Sequence, residues 1–188
     1  LGVSMENNVG RSSIRREDRE VKDEKWISTF LEKAPSAVVG TSLEDQPFLT
    51  NVLFVFDESR DAIFFHTSRL GRLRTNIEAN PQVCLMVTSM GRLLPADTAL
   101  EFSVEYASVV VFGEVTIAEN PQYGMELLME KYFPHLKPGR DYRPITPGEL
   151  VRTSVFELKI KEWSAKKKTA APEYPGAIRF PETDPQLI

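Results

Sequence analysis

The sequence predicts an α+β fold whose strands form a mostly antiparallel sheet. About six short runs rich in β-branched and aromatic residues are joined by short turns, and two or three other stretches carry apolar residues at helical spacing. Six antiparallel strands tend to curl because curling removes exposed edges, so we expect a small six-stranded barrel with flanking helices. The 188 residues, 41% of them hydrophobic, suffice for one compact domain with its own core.

The predicted elements follow one another along the chain. Helices are expected where a helical stripe of apolar residues ends at a proline, and strands where apolar residues alternate or cluster between turn residues. The predicted helices cover residues 22–33, 70–79 and 121–133, with a short one starting near Pro147. The predicted strands cover residues 36–43, 48–56, 62–67, 83–88, 105–117 (bent at Gly113) and 153–163.

The two ends of the chain differ in composition from its centre. Residues 1–20 are polar and rich in charge, which predicts a flexible N-terminal segment. Residues 170–188 are rich in proline and predict an extended C-terminal arm. The domain is therefore expected to span residues 21–169, with residues 91–100 forming a long loop inside it.

Composition narrows the classes of function. The net charge of −4 and the pI near 5.4 give no indication of binding to nucleic acid or to an anionic membrane. No apolar run reaches the roughly 18 residues of a membrane span, and no signal-peptide pattern is present, so we expect a cytoplasmic protein. The single cysteine, Cys84, lies in an apolar run and is interpreted as a core residue. His66 and His135 stand far apart without clustered ligands, so no metal site is expected.

The stretch "FFHTSRLGRLRTNIEANP", residues 64–81, places three arginines where the third strand passes into a helix. Arg69, Arg72 and Arg74 could bind an anion there, because guanidinium groups match phosphate oxygens and a helix start offers free N–H groups. The alternative is a solvated charged face. Gly71 favours the anion site, since a glycine in a first helical turn is unfavourable unless close approach is needed.

Three further residues each have two interpretations. His66 titrates near neutrality and could donate a proton, or it could be a hydrogen-bonded structural residue. Asn51 could offer its amide to a planar heterocycle, or it could lie on the polar face of its strand. Trp163, close to three lysines, could be core or could stack on a ring. Phosphate-binding loops of the Walker type, dinucleotide fingerprints and serine-hydrolase motifs are absent from the sequence.

Several segments together carry a resemblance to a known superfamily. They include "PFLTNVLFVFD", "FFHTSRLGRLRTN", "EANPQVCL", "KYFPHLKPGRDYRPIT" and "RTSVFELKIKEWSAKK", in matching order and spacing from about residue 24 to residue 166. The chain resembles the pyridoxamine 5′-phosphate oxidase-like FMN-binding split-barrel superfamily, and within it the nitroimidazole-resistance (Nim) family of flavin-dependent nitroreductases. This resemblance implies a split barrel that binds FMN at a homodimer interface and reduces a small-molecule acceptor.

The resemblance also implies roles for individual residues. His66 and Thr67 correspond to a strand-end pair that touches the flavin, and Arg72 corresponds to the phosphate-binding arginine. Leu73 stands where the oxidases carry a lysine, so Arg69 or Arg74 is inferred to supply the second charge.

Other positions correspond to the ring and to the partner chain. The segment that runs along the isoalloxazine ring matches Thr50, Asn51, Val52 and Leu53. Ser108 lies where the oxidases place a polar contact from the partner chain, and Trp163 lies near the C-terminal segment that also crosses the dimer.

Two classes of function follow from these residues. The first is an FMN-dependent homodimeric oxidoreductase that resembles the nitroimidazole reductases, with His66 donating a proton or orienting a small planar acceptor. The second is a flavin- or haem-binding module without turnover of its own. A true pyridoxamine phosphate oxidase is disfavoured, because the oxidases' substrate-binding arginine pattern is not visible after Trp163.

Overall fold

A computed structural model describes residues 10–181 of the chain. The parts of the predicted N-terminal segment and C-terminal arm at residues 1–9 and 182–188 lie outside this range. The helices are α1 (Glu24–Lys33), α2 (Arg72–Ala79), α3 (Pro121–Tyr132) and α4 (Pro147–Arg152), with short 3-10 turns at Glu17–Arg19 and Ala99–Glu101. The strands are β1 (Ala37–Leu43), β2 (Gln46–Val52), β3 (Phe54–Asp57), β4 (Ala62–Ser68), β5 (Gln82–Leu94), β6 (Ser103–Ile117), β7 (Thr153–Lys168) and β8 (Ile178–Arg179).

All of these strands belong to one sheet with antiparallel pairing. Their order is β2-β1-β5-β6-β7-β4-β3, and β8 pairs with β5. The predicted α+β class, with an antiparallel sheet and flanking helices, is confirmed. The described residues form eight strands instead of the predicted six, and the sheet is not closed.

The extra strands have two origins. The predicted strand 48–56 is interrupted at Leu53, so its halves become β2 and β3 and lie at opposite edges of the sheet. The arm contributes β8, a pair of residues beside Arg92 and Leu93. The sequence shows no breaker at Leu53, because the residues on both sides of it are apolar.

β5 is longer than the sequence predicts. It continues to Leu94, so the prediction of a loop over residues 91–100 is wrong for its first four residues. Pairing with β6 holds this part in place as far as Leu94 opposite Ser103. The register shifts between Met90 and Leu93, which disturbs the apolar alternation by which a strand is recognised.

The register between β6 and β7 shifts at Gly113, where the sequence predicts a bend. Lys161 is the extra residue of this bulge, since Phe112 pairs with Glu162 and Gly113 pairs with Ile160. A Cβ atom at position 113 would lie 2.1 Å from the carbonyl oxygen of Lys159. Glycine is therefore required here by the close approach of two backbones.

The main core lies inside the curled sheet and is closed by α1 and α2. Its largest buried side chains include Leu31, Phe54, Phe65, Phe156 and Leu158. A second apolar cluster lies on the other face of β4 and β7, beneath α3. β4 is consequently buried on both faces until it reaches His66, where it becomes exposed.

The interruption at Leu53 is fixed by a side chain from a distant part of the chain. The hydroxyl of Tyr132, in α3, accepts a hydrogen bond from the Phe54 amide at 3.0 Å. The same hydroxyl lies 3.0 Å from the carbonyl oxygens of Pro35 and Phe54, to which it can donate. One tyrosine therefore joins α3, the start of β3 and the segment before β1.

Tyr132→Phe is expected to lower the free energy of unfolding by about 1–2 kcal/mol, because the Phe54 amide loses its partner at a partly buried position. The shift in the urea midpoint measures this loss. Tyr142→Phe is the matched control, since the Tyr142 hydroxyl makes no hydrogen bond with the described residues. Equal effects of the two changes would contradict the role of the Tyr132 hydroxyl.

Both end segments make defined contacts with the sheet in their described parts. Arg11 and Ser12 donate hydrogen bonds to Glu162 at 2.7 and 2.6 Å. At the other end, Arg92 pairs with Glu105 and donates to the carbonyl oxygen of Pro172 at 2.7 Å. The boundaries of the three segments stay predictions. Within residues 10–181, no helix is long and apolar enough to cross a membrane.

Candidate functional site

The arginine-rich stretch forms the connection from β4 to α2. The helix begins at Arg72, two residues later than predicted, and Gly71 precedes it with a φ of 135°. Only glycine adopts this backbone conformation without strain. Leu70 is thus outside the helix and exposed, whereas Leu73 and Ile77 carry the buried stripe. The start of α2 opens to solvent with its first N–H groups unpaired by any side-chain cap.

The three arginines have different surroundings. Arg69 donates to the carbonyl oxygen of Val151 at 2.9 Å. Arg74 donates to the carboxylate of Glu78 at 2.6 Å and to the hydroxyl of Ser154 at 2.8 Å. These two guanidinium groups are therefore already engaged by the protein.

Arg72 is held by stacking instead. Its guanidinium carbon lies 4.3 Å from the centroid of the Phe48 ring. The side chain makes no hydrogen bond with the residues that the structure describes. The planar cation is therefore positioned by an aromatic ring, and its five N–H donors stay available to a ligand.

A cavity of about 570 Å³ opens beside this stacked pair. It is lined by Leu43, Glu44, Gln46, Phe48, Gly71, Arg72, Thr75 and Asn76. Asn76 is fully buried, and its side-chain nitrogen donates to the hydroxyl of Thr41 at 2.9 Å. Its side-chain oxygen has no hydrogen-bond partner in the described structure. A buried acceptor without a donor is unfavourable, so this oxygen requires a donor group such as an ordered water.

His66 and Leu53 mark a second part of the site. Phe54 pairs with Phe65, and Leu53 and His66 are the next residues outward on their strands. Both are exposed, Leu53 by 47%. They lie at the break between β2 and β3, the two edge strands of the open sheet. Thr67, next to His66, is half-buried.

The chemistry of His66 is set by its surroundings. Although the residue is exposed to solvent, nearby protein atoms desolvate the ring, and this burial lowers the pKa of His66 from its usual 6.5. The ring is therefore mostly neutral at neutral pH. A neutral imidazole can accept a hydrogen bond or a proton, or bind a metal centre.

The remaining residues predicted along the ring divide between two faces of the sheet. Thr50 is half-buried and Asn51 is exposed, so the two side chains point to opposite faces of β2. Val52 and Leu73 are buried and belong to the core. Asn51 is therefore the predicted ring residue whose polar side chain is open to solvent.

Two predicted site residues lie apart from this group within one chain. Ser108 pairs with Thr88 and Lys166 in the middle of the sheet. Trp163 packs against Phe56, with ring centroids 6.4 Å apart, and lines a cavity beside α1. Both were expected to act at the boundary with a partner chain, and that expectation stays a prediction.

Sequence reasoning missed Glu44, Phe48, Thr41 and Asn76. Asn76 carried a signal, because it lies three residues after Leu73 and thus on the buried stripe of α2, where a polar residue is unusual. Glu44 and Phe48 approach Arg72 only through the pairing of β1 with β2, which no local pattern indicates. Among the described residues, no group of three or more side chains could hold a metal ion.

The sequence and the fold of the chain are similar to those of known proteins. A family model described as pyridoxamine 5′-phosphate oxidase matches residues 23–167. The flavocytochrome Anf3 from Azotobacter vinelandii has a similar structure, with a TM-score of 0.74 and 26% identity over 94% of this chain and 90% of that chain. No curated protein matches this sequence significantly.

Two other solved structures share the fold at lower identity. A FAD and haem binding protein from Mycobacterium smegmatis gives a TM-score of 0.73 and 20% identity, covering 90% of this chain and 91% of that chain. A candidate 5-nitroimidazole antibiotic resistance protein from Bacteroides thetaiotaomicron gives a TM-score of 0.65 and 16% identity, covering 79% and 86% respectively.

Proposed function

Because the chain belongs to the pyridoxamine 5′-phosphate oxidase family, we propose that it is a flavin-dependent oxidoreductase acting on a small planar acceptor. The proposed cofactor is FMN, either free or as the FMN half of a larger flavin nucleotide. The observation that carries the proposal is the stacked, otherwise unpaired guanidinium of Arg72 beside the open start of α2. Such a group binds a phosphate with little loss of side-chain freedom, because its position is already fixed.

The flavin would extend along β2 from this phosphate site. Arg72 and the N–H groups after Gly71 would hold the phosphate. The ring would lie beside Asn51 and Leu53, near His66. A bound flavin supplies the electron or hydride transfer. Oxidation of pyridoxamine phosphate is not proposed, because the substrate-binding arginine pattern is missing after Trp163.

The chain's own contribution to the reaction is assigned to His66. In the proposed site, its imidazole orients the acceptor or transfers a proton to it through a ring nitrogen. Both His66 and its neighbour Leu53 are exposed at the break between β2 and β3, which gives a small planar molecule access to the imidazole. The nitroaromatic class of acceptor rests on the sequence motifs shared with the Nim family.

We also propose a homodimer that forms through the outer face of the sheet. Leu49, Met86 and Met90 lie on this face and are exposed by 76%, 41% and 54%. Ser108 lies on the same face, opposite Thr88. A second copy packed there would bury the apolar side chains and bring its Ser108 towards a site that it does not reach within its own chain.

A second candidate function is that of a flavocytochrome, which carries haem as well as flavin. It is favoured by the similarity to Anf3, whose 26% identity extends over 94% of this chain. His66 suits a haem ligand, since its pKa is lowered and a neutral imidazole is the form that binds iron. In that case His66 would hold the haem iron and would not act on the acceptor directly.

An absorbance spectrum of the purified protein tests both functions. A flavoprotein shows the two flavin bands, and a flavocytochrome shows an intense haem band as well. We expect the flavin bands, and we expect them to bleach when NADH or NADPH is added and to return with a nitroimidazole. A chain that neither retains flavin nor binds added flavin would overturn the proposed function. A haem band that disappears in His66→Ala would favour the second candidate.

A further inference from the structure

The cavity beside Arg72 extends beyond the place where the flavin phosphate would bind. Strand β2 runs from Val52 back to Gln46, and the cavity continues past Phe48 to the turn that joins β1 and β2. A strand rises about 3.3 Å per residue, so the turn lies about 7 Å past Phe48 on the side away from Leu53. A ligand larger than FMN therefore has room to continue in the same direction.

The walls of this extension suit a planar base. One face of the Phe48 ring is covered by the Arg72 guanidinium, and the pair forms a flat, cationic surface at the cavity edge. Nucleobases stack on aromatic rings and on guanidinium planes. Phe48 is the only aromatic residue among the described residues that line the cavity. A base therefore has one stacking position here.

Glu44 gives the same extension a carboxylate. It lines the cavity from a two-residue turn, closed by the pairing of Leu43 with Gln46. Glu44 and Asp45 adopt φ values of 51° and 61°, a conformation that favours glycine or asparagine and is strained for glutamate. A two-residue hairpin turn of this kind requires positive φ at both of its positions, and this turn places Glu44 at the cavity wall. A carboxylate can accept hydrogen bonds from both hydroxyl groups of a ribose, as an acidic residue does in dinucleotide-binding folds.

We propose that this cavity holds the adenosine monophosphate half of a flavin dinucleotide, so that the chain selects flavin adenine dinucleotide over FMN. The adenine stacks on the Phe48 and Arg72 pair, and the ribose hydroxyls donate to Glu44. The N–H donors at the edge of the Arg72 guanidinium then reach the pyrophosphate that joins the two halves of the ligand. This inference rests on the proposed flavin-binding function and assigns the nucleotide that the same site accepts.

Calorimetric titration of the purified protein, freed of any flavin that co-purifies, tests the inference with three ligands. Flavin adenine dinucleotide is expected to bind about 10-fold or more tightly than FMN, because a stacked base adds favourable contacts. ADP is expected to bind on its own and to compete with the dinucleotide. Chromatography of the flavin released from freshly purified protein gives a further readout, with the dinucleotide expected as the main species.

Two neighbouring carboxylates of the turn give a matched pair of variants. Glu44→Gln is expected to weaken the dinucleotide and ADP about 10-fold and to leave FMN unchanged, because only the ribose contact is lost. Asp45→Asn is expected to leave all three affinities unchanged, since Asp45 does not line the cavity. Phe48→Leu gives a second test and is expected to abolish the preference for the dinucleotide. Circular dichroism spectra verify that each variant is folded.

The outcomes separate this inference from the proposed function. Equal affinities for FMN and the dinucleotide, with no binding of ADP, would overturn the inference and leave flavin binding intact. Binding of ADP without either flavin would overturn the proposed flavin function and, with it, the assignment of a flavin dinucleotide. A preference for the dinucleotide that survives both Glu44→Gln and Phe48→Leu would place the adenosine elsewhere.

Discussion

His66→Ala is expected to slow the reduction of a nitroimidazole by about 100-fold or more while the flavin stays bound. The size of the effect follows from the loss of a positioned proton donor, which is usually worth two to four orders of magnitude. His66 lies beside the break between β2 and β3 and does not line the cavity at Arg72, so cofactor binding should not depend on it. Steady-state rates with flavin content measured in parallel check both parts.

The second histidine provides the control for this experiment. His135 is exposed in the loop after α3, and His135→Ala is expected to leave the rate unchanged. His66→Gln separates the two roles of the ring, because glutamine can orient an acceptor by hydrogen bonding but cannot transfer a proton. Unchanged turnover in His66→Ala would remove the catalytic role.

The pH dependence of the rate follows from the lowered pKa of His66. If the ring donates a proton, the active form is the imidazolium, so the rate is expected to increase as the pH falls below about 6.5. The increase should be missing in His66→Gln. For stability the sign is opposite: the folded state holds the neutral ring, so its contribution is present above the unfolded pKa and is lost as the pH falls.

Arg72→Ala is expected to weaken flavin binding about 10- to 150-fold, which corresponds to about 1.5–3 kcal/mol for a charged hydrogen-bonded contact. The stack on Phe48 fixes the guanidinium before the ligand arrives, and no other group of the described chain uses its donors. Fluorescence titration of the flavin-free protein measures the change. Arg72→Lys keeps the charge but loses the planar fork and should recover only part of the affinity.

Arg69→Ala is the informative comparison for Arg72→Ala. Arg69 is bound to the Val151 carbonyl, and together with Arg74 it lines a separate cavity. Because its donors are partly used, its replacement is expected to have a smaller effect than that of Arg72. A larger effect at Arg69 would move the phosphate to this second cavity, and an unchanged affinity in Arg72→Ala would remove the phosphate-binding role of Arg72.

Much of the fold could be predicted, because strands and helices leave local patterns. The antiparallel sheet and flanking helices are confirmed, as is the resemblance to the split-barrel superfamily. The interruption at Leu53 could not be predicted, since it depends on the Tyr132 hydroxyl from a helix far along the chain. The extension of β5 depends in the same way on pairing with β6.

The candidate site could be predicted to a similar degree. Its place at the junction of β4 and α2 followed from the run of arginines, since charge and helix starts are visible in the sequence. The structure distinguishes Arg72 from Arg69 and Arg74 only through tertiary contacts, above all the ring of Phe48. Leu73, predicted among the cofactor-binding residues, lies in the core, because the helical stripe turns it inward.

The interruption at Leu53 limits where related sequences can carry insertions or deletions. Because β2 and β3 form the two edges of one open sheet, an inserted residue at this point would displace both edges together with the neighbouring His66. The connection between β5 and β6 at residues 95–102 joins neighbouring strands, and its Pro95 carbonyl oxygen accepts a hydrogen bond from the Tyr174 hydroxyl at 3.1 Å. Insertions and deletions among related sequences are therefore expected to gather there and to spare the few residues around Leu53.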